Sequence, residues 1–380
     1  MSDVSAYRPT RAEIDTGAIS RNVERLRSLV APAAFCAVVK GDGYGHGIVT
    51  AARAAKAGGA GWLGVALVEE AIALREAGID GPILVLSEPA VPAWDELLRL
   101  DVDAMVYSDT AIEAAQVAAA NAGSVAALHL KVDTGMHRVG CPPEDALGLA
   151  RSIHTSAHTR LAGLASHFAT ADDPASLFPG IQLDRFRSVD AALVADGISG
   201  YLRHVANSAG AIAVPASRFE LVRCGIACYG IAPSPELASR VELEPALRLV
   251  SAVSHVQRLG PGEPVSYGCR YVTTTDTTIA TVPIGYADGL PRSLGLNGGY
   301  VLIAGRRLPV VGTVTMDQLM VEAGDHPVRR GDEVVLIGSQ GTDTISANEV
   351  AGREGSIGYE IVTRLGPRVP RVVVGGAPAT

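Results

Sequence analysis

Apolar positions in the first two thirds of the chain fall into short continuous runs separated by stretches with a helical period. The runs are FCAVVK (35–40), WLGVAL (62–67), ILVLS (83–87), DAMVYS (103–108), AALHLKVD (126–133), LAGLASH (161–167), RHVAN (203–207) and FELVRCG (219–225). Between most of them lie segments such as VEEAIALREAG and TAIEAAQVAAANAG, whose apolar residues recur every three or four positions. Continuous apolar strands alternating with helices predict a parallel sheet buried on both faces. Eight such strands favour a closed (β/α)8 TIM barrel over an open doubly wound sheet.

After about Glu242 the pattern changes: strand-like segments continue and amphipathic helices nearly vanish. LRLVSAVSHVQRL, YVLIAGRRLPVVGTV, LMVEAG and DEVVLIG alternate with turns such as GPGEP, NGG and RRGDE. That is the signature of a C-terminal all-β domain. The expected α/β architecture is therefore a barrel over 1–242 followed by a β domain over 243–380. Within residues 1–15, the segment RAEID precedes a helix from Thr16 to Leu29 and offers a strand to the second domain.

Composition narrows the function classes. The chain has 380 residues, room for two domains, and a net charge of −8, which supplies no basic face for nucleic acid. No run of eighteen apolar residues escapes interruption by glycine or charge, so no membrane span is expected. Met1 to Asp15 lacks the apolar core of a secretory signal. The five cysteines are odd in number and scattered, as in a reduced cytoplasmic protein. Cys224 and Cys228 have metal-compatible spacing but no second pair, so no metal site is expected.

Lysine usage changes the picture more. Of 32 basic residues only Lys40, Lys56 and Lys131 are lysines. Arginine stays protonated, whereas a lysine can shed its proton and act as a nucleophile. By the strand count Lys40 closes the first barrel strand and precedes the glycine-rich GDGYGHG, and barrel active sites lie at the carboxyl ends of the strands. Strand seven ends at Asn207-Ser208 before a short helix, and strand eight at Arg223, ahead of Gly225-Ile226. A hydroxyl at a helix start beside a glycine backbone makes an anion cradle. A lysine facing such a cradle suggests a Schiff base to pyridoxal phosphate. The same spacing also fits a salt-bridged surface lysine followed by an ordinary glycine turn.

AVVKGDGYGHG (37–47) closely resembles the cofactor-lysine signature of the alanine racemases, with glycines at two positions where the family usually has alanine, a departure expected to loosen the loop. KVDTGMHRVG (131–140), SHFATAD (166–172), NSAG (207–210), RCGIACYG (223–230), VSYGCRY (265–271), VPIGYADGLPR (282–292), GTVTMDQ (312–318) and GYEIVTRLGPRVPR (358–371) follow in the family's order. The resemblance spans nearly the whole chain.

It implies a pyridoxal 5′-phosphate enzyme interconverting L- and D-alanine for peptidoglycan. Lys40 would hold the cofactor and act as base on one face of the substrate Cα, with Tyr267 as acid/base on the other. Two opposed bases are what racemisation by proton exchange requires. His167 would neighbour Tyr267, and Arg223 would face the pyridine nitrogen, donating a hydrogen bond without surrendering a proton. Arg138 would approach the cofactor's phenolic oxygen and the substrate carboxylate. Lys131 matches a position that some members carbamylate. Phosphate contacts would come from Tyr44, Ser208, Gly225, Ile226 and Tyr359, with Asn207 beside them. Tyr286, Met316 and Asp317 would join Tyr267 in reaching the other subunit of a homodimer, making both sites composite.

Thr315 is the one departure in GTVTMDQ, and a small polar residue keeps alanine the expected substrate. Three alternatives share parts of this pattern. A serine, lysine or broad-specificity racemase shares the catalytic residues. A pyridoxal-phosphate decarboxylase of basic amino acids fails on Tyr267 and on motif order. A non-catalytic pyridoxal-phosphate binding protein resembles the barrel alone and leaves the residues after Glu242 without a role.

Overall fold

The computed structural model describes residues 7–375. The chain divides into two compact units. One holds residues 19–43 and 48–244, the other residues up to Ala18, Tyr44–Gly47 and the chain from Pro245 onward.

The first strand, β1 (Arg11–Asp15), belongs to the second unit. The first unit carries β2 (Ala34–Val38), β3 (Trp62–Val65), β4 (Ile83–Val85), β5 (Asp103–Val106), β6 (Ala126–Lys131), β7 (Thr159–Ala165), β8 (Leu202–His204) and β9 (Leu221–Cys224). These pair in parallel in the order β8-β7-β6-β5-β4-β3-β2-β9, a nearly closed barrel. Among the described residues no strand ladder joins β8 to β9. That seam is held by the Arg203–Glu220 ion pair and by Arg223 N donating to Ala206 O at 3.0 Å.

The strands are shorter than the apolar runs that predict them. Val39 and Lys40 lie beyond the end of β2, and Leu86 beyond β4. Hydrophobicity reports burial, and burial continues into the loops after the ladder has ended. The intervening helices follow local rules. Asp109–Ala122 starts at Ser108, whose Oγ accepts from Ala111 N at 3.2 Å, and stops at left-handed Gly123. Its buried face is Ala111, Ile112, Ala115, Ala118 and Ala119, the spacing of one helical stripe. Leu84, Met105 and Ala165 form one core cluster, with Trp62 and Leu86 packed against it.

In the second unit a ten-stranded sheet is antiparallel except at one edge, where β1 pairs in parallel with Arg371–Val374. The other side of β1 pairs antiparallel with Leu247–Ala252. Tyr300–Ile303 and Arg306–Val311 form a hairpin across Ala304-Gly305, both at positive φ, which matches the twist of the flanking strands. Among the described residues no helix is long and apolar enough to cross a membrane.

Candidate active site

Lys40 opens a tight turn just past β2. Gly41, Asp42 and Gly43 are all left-handed, with φ of 64°, 53° and 62°. The two glycines are therefore fitted to the turn instead of loosening it, since a side chain is strained in that region. A Cβ on Gly43 would also stand 2.8 Å from the Ala51 methyl. Asp42 tolerates the conformation and its carboxylate accepts from Ile48 N at 2.9 Å, while Gly41 N donates to Glu70 Oε1 at 2.6 Å. Burial first, and then the charge of Arg138, hold the Lys40 amine below the usual lysine range; Glu70 opposes this and Arg223 adds to it.

Arg223, the third residue of β9, is buried. Nη1 donates to His204 O at 2.7 Å and to His204 Nδ1 at 2.8 Å, and Nη2 donates to Ser166 O at 2.8 Å. Burial lowers its pKa to about 10, with the Cys36 and Cys224 thiols acting in the other direction, so it remains a cation at neutral pH. His167, two residues past β7, has Nδ1 3.3 Å from Arg223 Nη2 and Nε2 3.4 Å from Asn207 Nδ2. Burial, followed by the charges of Arg223, Lys131, Arg138 and Lys40, pushes this imidazole well below the ordinary histidine range.

Lys131 ends β6 and is 5% exposed. Its amine is lowered to about 7 by burial, then by Arg223, Arg138 and Lys40, against Asp133. Arg138 is itself exposed, in the loop after β6. Lys40, Lys131, Arg138, His167 and Arg223 thus converge electrostatically although they come from four strand ends.

The residues expected to cradle an anion lie just past β8 and β9. Asn207, rather than Ser208, caps the helix Ser208–Ala213, its Oδ1 accepting from Gly210 N at 2.9 Å. Ser208 Oγ accepts from Gly225 N at 2.9 Å and Ala227 N at 3.4 Å. Ile226 is buried and can offer a ligand only its backbone.

In the second unit the Tyr44 and Tyr359 rings lie 6.2 Å apart. A Cβ on Gly45 would stand 2.1 Å from Val362 O, so the two backbones meet there only because residue 45 is glycine. Tyr267, Tyr286, Met316 and Asp317 line one cleft with Thr315 and Arg292. Tyr267 is 71% exposed, Met316 52% and Tyr286 40%. Ser266, at φ 69°, positions Tyr267: its Oγ donates to Thr313 O at 2.5 Å, and Thr313 Oγ1 donates to Tyr267 O at 3.0 Å. Asp317 is paired with Arg368 at 2.7 Å.

Sequence reasoning missed Glu70, which accepts from Gly41, Ala66 and Leu67 backbone amides and ties the lysine turn to the loop after β3. Nothing in VEEAIALREAG marks it. It also passed over His129 and His204, although an imidazole inside an apolar barrel strand was a visible signal.

A barrel with a depressed lysine amine and a buried arginine at its strand ends, followed by a β domain, is an arrangement that pyridoxal phosphate, with its aldehyde and its anionic phosphate, would fit. Residues 14–233 match the family "Alanine racemase, N-terminal domain", and residues 246–373 match "Alanine racemase, C-terminal domain". The chain belongs to the alanine racemase family. It is 44% identical over 370 residues to the alanine racemase of Symbiobacterium thermophilum, covering 97% of this chain and 98% of that one. The crystal structure of alanine racemase from D-cycloserine producing Streptomyces lavendulae superposes with a TM-score of 0.92 at 41% identity, covering 97% of this chain and 98% of that one. That of Bacillus anthracis with bound L-Ala-P gives 0.91 at 38%, covering 97% and 95%.

The donor set fits the cofactor. Lys40 supplies an amine whose charged form is disfavoured, Arg223 a fixed cation, and Ser208 a hydroxyl at the start of a short helix.

Proposed function

We infer that this protein interconverts L- and D-alanine with pyridoxal 5′-phosphate, supplying D-alanine for peptidoglycan, with Lys40 and Tyr267 as the two bases. The observation that carries the site assignment is the Lys40 amine, disfavoured as a cation by burial at the mouth of the barrel and by Arg138. Pyridoxal phosphate held at Lys40 would supply an electron sink once the substrate's amine takes the place of the Lys40 amine on it, weakening the Cα–H bond and leaving Lys40 free as a base. Lys40 takes or returns the proton on one face, and the Tyr267 hydroxyl does so on the other. Arg223, held by carbonyls and an imidazole, donates a hydrogen bond to the ring nitrogen and keeps its proton. Ser208 with the Gly225 and Ile226 backbone, together with Tyr44 and Tyr359, holds the phosphate. Arg138 takes the substrate carboxylate, and Tyr286, Met316 and Asp317 border the substrate.

Lys131 is assigned as a carbamate. Its amine, near 7, is neutral enough to add carbon dioxide, and the resulting anion would stand among Arg223, Arg138 and Lys40. We further assign a homodimer with composite sites. Three large side chains, Tyr267, Tyr286 and Met316, are exposed around one cleft, a surface that burial against a second copy would explain. A cytoplasmic location is supported by five unpaired cysteines.

The test is conversion of L-alanine by the purified protein with pyridoxal phosphate, beside serine and lysine, with the absorption spectrum of the same sample. Fast conversion of alanine alone is expected. Faster conversion of serine or lysine changes the substrate and keeps the site. A coloured protein that converts none of them overturns the reading.

A further inference from the structure

A thread of polar side chains runs through the barrel core away from Arg223. Nη1 of Arg223 is 2.8 Å from His204 Nδ1. Nε2 of His204 is 2.8 Å from His129 Nδ1, and Nε2 of His129 is 3.1 Å from Asp103 Oδ2. Four strands contribute: β9, β8, β6 and β5. Both imidazoles are fully buried, whereas Asp103, the first residue of β5, is 13% exposed at the amino end of its strand.

Donor chemistry leaves one arrangement of protons. A guanidinium can only donate, so His204 Nδ1 is bare and its proton sits on Nε2. That proton is given to His129 Nδ1, which must also be bare. His129 therefore carries its proton on Nε2 and donates it to the Asp103 carboxylate. Burial, then Arg223, His129 and Lys131, keep His204 neutral, in agreement with this order.

Gly163 of β7 provides the room. A Cβ there would lie 2.1 Å from His129 Nδ1 and 2.8 Å from His204 Nε2, while its φ is one alanine adopts without strain. The glycine is needed for the space beside the two rings, not for its backbone. Barrel interiors are ordinarily filled with branched aliphatics, and a buried polar thread is costly unless every member is satisfied. Here each is. The hydrogen bonds of Arg223 reach carbonyls and imidazoles, and the carboxylate at the end of this path is Asp103.

We propose that Asp103, His129 and His204 are positioning residues for Arg223, a relay that aims its guanidinium and holds its proton through two neutral imidazoles of fixed tautomer. This rests on the reading that Arg223 faces the cofactor's ring nitrogen. Without the distant carboxylate the guanidinium becomes a stronger acid and shares its proton more with that nitrogen. The consequence is more side transamination, in which alanine's amino group passes to the cofactor, water supplies the carbonyl oxygen and pyruvate leaves.

Nitrogen-15 NMR of the cofactor-free protein reads the relay directly, with His129→Gln and His204→Gln assigning the signals. Both histidines are expected as Nε2–H tautomers at neutral pH. An Nδ1–H tautomer or an imidazolium at either one overturns the proposal. In the holoenzyme, Asp103→Leu and Gly163→Ala are each expected to raise pyruvate formed per D-alanine about tenfold, the effect of one pKa unit on Arg223, with Asp103→Asn raising it less. Unchanged ratios in variants that retain the fold and bind cofactor overturn it also. Arg223→Lys separates the two readings. If it leaves the ratio unmoved, the placement of Arg223 against the ring nitrogen has failed; if it moves the ratio and the Asp103 and Gly163 variants do not, only the relay has.

Discussion

Nη2 of Arg223 stands 3.3 Å from Nδ1 of His167, so a lasting cation faces an imidazole that burial and this guanidinium together keep neutral. The unfolded chain protonates such a histidine near pH 6.5, and the folded chain only well below it. Stability from this group is therefore lost as pH falls through about 6.5, by at most about 1.4 kcal/mol per pH unit. Proton NMR of His167 is expected to show no titration in mild acid, and Arg223→Leu to raise its pKa. A wild-type His167 titrating near 6.5 would contradict the assignment.

Lys40→Arg is expected to abolish the visible absorption of bound cofactor, because a guanidinium forms no imine, and to end racemisation. Tyr267→Phe keeps the colour and slows proton removal from one isomer by about 10²–10⁴-fold, the usual share of one acid/base group. Mixed dimers of the two variants regain activity in one of their two sites. Absence of recovery in proven mixed dimers would show that the two residues do not meet across copies.

Lys131 carbamylation depends on the neutral amine. With its pKa at about 7, the labelled carbamate signal after exchange with carbon-13 bicarbonate is expected to grow between pH 6 and pH 8. Lys131→Ala removes the signal. For the uncarbamylated chain the folded value lies below the ordinary 10.5, so the unfolded state holds the extra proton between the two. Stability then rises with pH over that window.

Asn207→Ala removes the cap that accepts from Gly210 N and is expected to cost about 1 kcal/mol. The same change disturbs the backbone beside Ser208, so cofactor affinity falls as well. Thermal denaturation of the cofactor-free protein isolates the first effect, and fluorescence titration with pyridoxal phosphate reads the second.

Eight apolar runs were enough to predict a barrel because strands covered on both faces need apolar residues at every position, and that demand is written locally. The rarity of lysine likewise drew attention to Lys40, Lys56 and Lys131, of which the end of an apolar run set Lys40 apart and the family resemblance set Lys131 apart. Strand ends were less legible. Val39 and Leu86 are as apolar as the ladders they follow, and only pairing partners decide where a ladder stops.

The chemistry of those lysines was decided by tertiary structure. Lys131 is lowered first by burial and then by the charges of Arg223, Arg138 and Lys40, and His129 finds its partner 75 residues away on another strand. A pKa or a tautomer is a sum over neighbours in space, and most of those neighbours are distant in the chain. The sequence by itself determined which elements form and which side chains are reactive in kind; closure of the barrel alone set the burial and the charges around them, and so which proton each one holds.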